Sequence, residues 1–586
     1  MTYQFASSVE PLEQRIAPAG LVTASFANGL LTVTGFDGAD HDVELVKTGT
    51  NTFRLEGSDT SINLPGVTSK NFTGTLSRVV YEGGSGADTF TVTNLSSLKS
   101  LRFEGNEGVD SLSTANLKTG VGSTVDINLG ADTGSVNFFG SQTVLHGVLN
   151  INLGGGGSAG LRSALTTIDG AVTVTGGPGS DSLSLTGATT LFKSKLTFSG
   201  LDGNDSFNSA GKSVTVQGLV AMDGGAGTNS FVFAADRNSF GKISTIGSVD
   251  LKLGTGAGSV SFLGASTNLL GTLKIDLGTG GGSADLNSVA TTIRDGVQFI
   301  GGIGNDSVEF NGRVSLGKTL SFVGGAGDDT FGAVGGLFSV KGATSFDPGV
   351  GASTFVLHPS SLALAALSVQ GGIENDTVSI IADGTIAGDV NLLLGIDGTG
   401  PSSIVLESRA GLANGLKFAG AVTIGMTGAT VDVLTIANIQ VAKGFTAQTG
   451  EGVSTVDIVR LNVLGDLSLK TGAGADVVNL DNLNARNLTV DTQVGADELR
   501  IERNAAYTGI SKILARATIL TGIGADQIRI GNGIDFANTR VNFMGALTLD
   551  AGDGANMRND ILGSNFFELA PKLTSTGGTL TETAAV

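Results

Sequence analysis

A short glycine-rich unit returns at a nearly fixed interval, and that interval limits what the chain can fold into. Gly83-Gly84-Ser85-Gly86-Ala87-Asp88-Thr89-Phe90 comes again as Gly176-Gly177-Pro178-Gly179-Ser180-Asp181-Ser182-Leu183. Further copies are Gly301-Gly302-Ile303-Gly304-Asn305-Asp306-Ser307-Val308 and Gly324-Gly325-Ala326-Gly327-Asp328-Asp329-Thr330-Phe331. Looser copies end at Asp110, Asp205, Asn229, Ser353, Asp376, Asp476, Asp497 and Asp526. The copies ending at Asp181, Asp205 and Asn229 follow one another at an even step, as do those ending at Asp306, Asp329, Ser353 and Asp376. A repeat of that length is the period of a solenoid, whose coils bury their apolar faces only against their neighbours.

Two residues beyond each unit sits an apolar side chain, among them Phe207, Phe231, Phe331 and Phe355. Stretches such as Ala171-Val172-Thr173-Val174-Thr175 alternate with period two, the mark of a strand with one buried face. A coil of this length holds two or three short strands with glycine at the corners, where a positive φ carries no Cβ clash. The chain therefore reads as all-β, a parallel β-helix of about 20 coils of about 23–24 residues. Right-handed connections dominate parallel β structure and predict that hand here. A longer correspondence, Thr133–Gly140 against Ala257–Gly264, points to duplication of a block of coils.

The spacing divides the chain into an export-type or disordered segment over 1–20, a β cap over 21–80, the solenoid over 81–554, and a closing cap with a disordered tail over 555–586. Residues 21–80 alternate like hairpin strands, as in Leu31-Thr32-Val33-Thr34, and would cover one open end. Ile561-Leu562 and Phe566-Phe567-Glu568-Leu569 would help close the other.

Composition excludes several function classes. A net charge of -19 repels a phosphate backbone, so no nucleic-acid partner is expected. No apolar run is long enough for a membrane span, and the absence of cysteine removes disulfides and thiolate metal sites. Neither a P-loop nor a G-x-S-x-G element occurs, and the glycine runs fall at the corners of the repeat.

The repeated unit resembles the G-G-x-G-x-D-x-U-x nonapeptide of RTX proteins, in which U is a large apolar residue. That resemblance implies calcium held between stacked turns by carboxylate and carbonyl oxygens, with Asp88, Asp181, Asp205, Asp306 and Asp329 as candidate Ca2+ ligands. This chain departs from the RTX pattern in carrying one unit per coil. Calcium would then need aspartates of adjacent coils to meet, as in the pairs Asp181/Asp205 and Asp306/Asp329. The alternative is a polar turn ladder in which Asp and Asn satisfy backbone N–H groups without metal. Leu12-Glu13-Gln14-Arg15 is similar to the LEPR-type motif near the start of large exported bacterial repeat proteins, with Gln in place of Pro. It implies an extracellular or cell-surface location.

Three functions remain. The first is a non-catalytic surface or secreted structural, adhesin-like solenoid, with a cell-envelope, surface or self-assembly partner. The second is a calcium-binding RTX-like secreted module. The third is a carbohydrate-active β-helix enzyme, which needs a carboxylate pair beside a groove. Against catalysis stand the lack of Trp, only three Tyr, and the repetitive placement of the acidic residues. His41, His146 and His358 are far apart in sequence and read as surface or edge residues. Arg500-Ile501-Glu502-Arg503 reads as a solvated strand face. A carbohydrate site would sit where coils break the period, between 229 and 258 or between 497 and 526.

Overall fold

Period-two alternation between glycine corners produces strands with one face turned inward, and the structure stacks them coil upon coil. The computed structural model describes residues 20–35, 38–241, 247–395, 400–428, 431–504, 507, 509–531, 539–559, 565–574 and 579–583. The described residues are all-β with no helix, and form a β-solenoid of about 19 coils with mostly parallel strands. Leu12–Arg15, Ile561 and Leu562 lie outside the described residues. The chain falls into two compact units, Met1–Ser194 and Lys195–Val586.

The first unit opens with antiparallel pairs. Gly20–Ala27 folds back on Leu30–Gly35 through Asn28 (φ 50°) and Gly29 (φ 76°), both left-handed as a two-residue hairpin turn requires. Asp42–Gly49 pairs antiparallel with Thr52–Ser58, which pairs in turn with Ser69–Thr73. Phe26, Phe53 and Phe72 pack beneath these hairpins, with Phe53 and Phe72 stacked at 5.2 Å. Parallel pairing then takes over, from Asp42–Gly49 to Thr89–Thr93 and onward to Ser111–Ala115 and Thr133–Phe139.

Each regular coil of the second unit carries three strands. The corner unit leads into a first strand, as in Ser206–Ser209, Ser230–Phe233, Ser259–Phe262 and Ser283–Leu286, each hydrogen-bonded to the next. Second strands run Ser213–Val216, Arg237–Phe240, Ser266–Leu269 and Ala290–Ile293. Third strands run Leu196–Ser199, Val220–Asp223, Val249–Lys252, Leu273–Asp276 and Val297–Ile300. The register places Phe207 directly against Phe231, as the spacing predicts. Equivalent residues thus form internal columns: Phe233 and Phe262 stack at 4.5 Å, and Phe331 and Phe355 at 5.3 Å.

Several coils are longer than the period. They lie between Ser230 and its partner Ser259, between Ser402 and Asp432, between Glu498 and Gln527, and between Gln527 and Met557. Near the C-terminus Asn542 and Phe543 pair with Phe566 and Phe567, and the tail carries a strand, Thr579–Thr583, parallel to Ala555–Asn559.

The columns are packed solids in which one methylene is felt. Ile275 is fully buried in a third strand, between Leu251 and Phe299. Ile275→Val is expected to lower unfolding stability by about 0.5–1.5 kcal/mol, read from urea unfolding followed by circular dichroism.

Candidate functional site: a buried aspartate column

Within each compact unit the aspartates of the repeated sequence occupy a column, at or just before the start of each first strand. In the first unit the column runs His41, Asp88, Asp110, Gly134, Gly157, Asp181. In the second it runs Asp205, Asn229, Gly258, Gly282, Asp306, Asp329, Ser353 and Asp376, then Ser402, Asp432, Ser454, Asp476, Asp497 and Asp526. Every aspartate in it is at most 2% exposed.

The carboxylates reach back by one coil. Each of those that follow uses Oδ1 to accept the backbone N–H of the preceding column residue. Asp88 N donates to Asp110 Oδ1 at 2.8 Å, and Gly157 N to Asp181 Oδ1 at 2.7 Å. Gly282 N donates to Asp306 Oδ1 at 2.7 Å, and Asp306 N to Asp329 Oδ1 at 2.8 Å. Ser454 N, Asp476 N and Asp497 N continue the pattern to Asp476, Asp497 and Asp526. Asn229 does the same work uncharged: Oδ1 accepts from Asp205 N at 2.7 Å while Nδ2 donates to Leu253 O at 2.8 Å. A corner N–H unable to pair within a strand is thereby satisfied from the next coil, as buried backbone donors must be.

The glycines of the unit follow from this. A Cβ on Gly105 would lie 2.3 Å from Asp110 Oδ2, and one on Gly324 would lie 1.9 Å from Asp329 Oδ2. The first glycine of these units therefore makes room for the carboxylate that follows in the same corner. The second glycine donates to that carboxylate in three complete units: Gly84 N to Asp88, Gly177 N to Asp181 and Gly302 N to Asp306, each on Oδ2.

Two kinds of aspartate result. Asp88, Asp181 and Asp306 use both oxygens on backbone N–H groups. Asp110 and Asp329 have an Oδ2 that is buried and without a hydrogen-bond partner. Their acidities follow. Desolvation pushes Asp110 and Asp329 up to about 7, and Asp497 up to about 6. Desolvation also raises Asp181 and Asp306, where hydrogen bonds from two glycine N–H groups pull the other way.

Within a single unit, the candidate calcium ligands Asp306 and Asp329 are brought together as neighbours. Asp88 adjoins Asp110, Asp205 adjoins Asn229, and Asp181 adjoins Gly157. In each of these contacts the side chain faces a backbone N–H group. Among the described residues no group of three or more His, Asp or Glu is arranged to hold a metal ion.

Two expectations need correction. His41 is not a surface residue: it is fully buried and begins the column, its Nδ1 2.6 Å from Asp88 Oδ1 and its backbone N–H on the same oxygen. Gly20 and Gly35 make room for its ring. His146 is half-buried beside Asp169, and His358 Nε2 lies 2.7 Å from Ser379 Oγ. Nor does Glu502 lie on a solvated face. It is 1% exposed, accepts from Asn482 N at 2.7 Å and bonds the Ser511 hydroxyl, and burial pushes it up to about 7.

Fold and column together define a β-solenoid repeat protein. Comparison with protein-family models, curated proteins and solved structures finds no match for this chain. Among the described residues no helix is long and apolar enough to cross a membrane.

Proposed function

We propose that this protein is a non-catalytic structural solenoid of a bacterial surface or secreted layer, a stiff scaffold that holds a partner or envelope component at a distance. The observation that carries this reading is the direction of the column carboxylates. The one chemically distinctive repeated group points inward and, wherever it occurs, ties its coil to the one before. Repetition supplies length, parallel hydrogen bonding supplies stiffness, and the acidic surface keeps the chain soluble.

Calcium separates this reading from an RTX-like module. Thermal unfolding by circular dichroism is expected to give the same midpoint in EDTA and in millimolar Ca2+, because the carboxylates are engaged by N–H groups. A midpoint that climbs with calcium concentration, as ligand linkage demands of a native-state site, would replace the scaffold reading with the calcium-binding one.

A further inference from the structure

One long coil of the second unit carries a feature that the scaffold reading does not use. The outward residues of successive first strands form rows across coils. One row runs Thr435, Asp457, Asn479, Arg500, and the next runs Glu407, Ala437, Val459, Asp481. Beyond the strand ends, the excursion between Glu498–Ile501 and Gly509–Leu520 brings in Arg503, Asn504 and Tyr507. Together these residues line a concavity of about 500 Å³, within the range of small-ligand sites.

A strained residue sits in its wall. Asn438, Arg460 and Asn482 occupy equivalent corners of successive coils, all left-handed, with φ of 60°, 53° and 55°. Asparagine adopts that conformation readily; arginine does so against its preference. Backbone strain of this kind gathers at functional sites. The arginine is also directed: its guanidinium lies 5.6 Å from the centre of the Tyr507 ring, and Nη1 donates to Asn438 Oδ1 at 3.4 Å. Across the concavity Arg500 contacts Asn479 Oδ1, and Asn479 Nδ2 donates to Asp457 Oδ1 at 2.5 Å.

We infer that this concavity binds an acidic oligosaccharide, its carboxylate or sulfate group on Arg460, its hydroxyls on Asp457 and Asn479, and a sugar ring against Tyr507. Guanidinium groups recognise planar anions in bidentate fashion, and Asp and Asn side chains offer the mixed acceptors and donors that hydroxyls need. A peptide fits poorly. Extended peptides add to an open sheet edge, and the strands bearing Asp457 and Asn479 are paired on both sides. This inference goes beyond the scaffold reading and does not depend on it.

Isothermal titration of the full chain with a short oligogalacturonate, its methyl ester and a heparin-derived oligosaccharide tests the assignment. At least one acidic ligand is expected to bind, and the ester at least about tenfold more weakly than the free acid if oligogalacturonate is that ligand. Arg460→Asn places in the corner the residue its neighbours carry. It is expected to weaken binding about tenfold or more with the melting temperature unchanged or raised, a pairing that a merely structural arginine would not give. Tyr507→Ala is expected to weaken binding as well. Failure of both acidic ligands to bind, or binding undiminished in Arg460→Asn, overturns the inference; the scaffold reading survives either result.

Discussion

Lowering the pH from about 8 to about 5 is expected to raise the melting temperature, by on the order of 5 °C or more, where most acidic proteins change little. The cause is the column. Burial lifts Asp110 and Asp329 to about 7, and Asp432 and Asp497 to about 6, from an ordinary value of 3.8. Asp181, Asp306, Asp376, Asp476 and Asp526 move in the same direction. Neighbouring carboxylates add to the desolvation, Asp88 and Asp132 at Asp110, and Asp306 and Asp328 at Asp329.

A carboxyl with a raised folded pKa binds its proton more tightly in the native state than in the unfolded chain. Its contribution is fully present below the unfolded value near 3.8 and is lost as pH rises through the folded value. For these groups the loss falls between about pH 4 and about pH 7. Groups that act oppositely are fewer. Asp169 and Glu498 are held low by Lys193 and Arg500, and lose their contribution only as pH falls toward and below the ordinary carboxylate range. His358 is pushed down by burial and by Arg409, so it opposes the trend as pH falls. Relief of the repulsion behind a net charge of -19 acts with the column. Differential scanning calorimetry across this range measures the slope; a flat or falling midpoint on acidification would show that the column aspartates are not raised.

The fold was legible because the repeat is its own evidence. Evenly spaced glycine units, each followed by an apolar residue, require stacked coils, and Phe207 meets Phe231 where the spacing puts it. What the column does was harder to read. An aspartate after a glycine turn can serve a cation or a backbone N–H equally well, and the choice depends on which group of the neighbouring coil lies opposite. His41 carries no glycine unit and joins the column only because two antiparallel hairpins fold out between it and Asp88. Asp432 also lacks the complete unit, yet the register places it opposite Ser402 and Ser454. Glu502 alternates with arginines like a surface residue, but a left-handed φ of 54° coincides with a turn inward to Asn482 and Ser511. These placements arise from three-dimensional stacking, which a local pattern does not encode.

The division of the column into two kinds of aspartate yields a contrast between adjacent coils. Asp306→Ala is expected to destabilise by about 2–6 kcal/mol, since Gly282 N and Gly302 N both lose their acceptor in a buried corner and each orphaned donor costs about 1–3 kcal/mol. Asp306→Asn keeps one acceptor and turns an amide N–H toward a backbone N–H, so it too is destabilising. Asp329→Asn, one coil further on, behaves differently. Its Oδ1 still accepts from Asp306 N, and the amide replaces an Oδ2 that has no partner. An amide in this column can turn its Nδ2 to a carbonyl of the next coil. Asn229 already makes that arrangement with Leu253 O. Asp329→Asn is therefore expected to match the parent near pH 5, exceed it near pH 8, and flatten the pH dependence. Chemical denaturation of the variants at both pH values distinguishes the outcomes. Equal losses for Asp306→Asn and Asp329→Asn would mean that the two aspartates share one environment, and that the second glycine N–H does not set the difference between them.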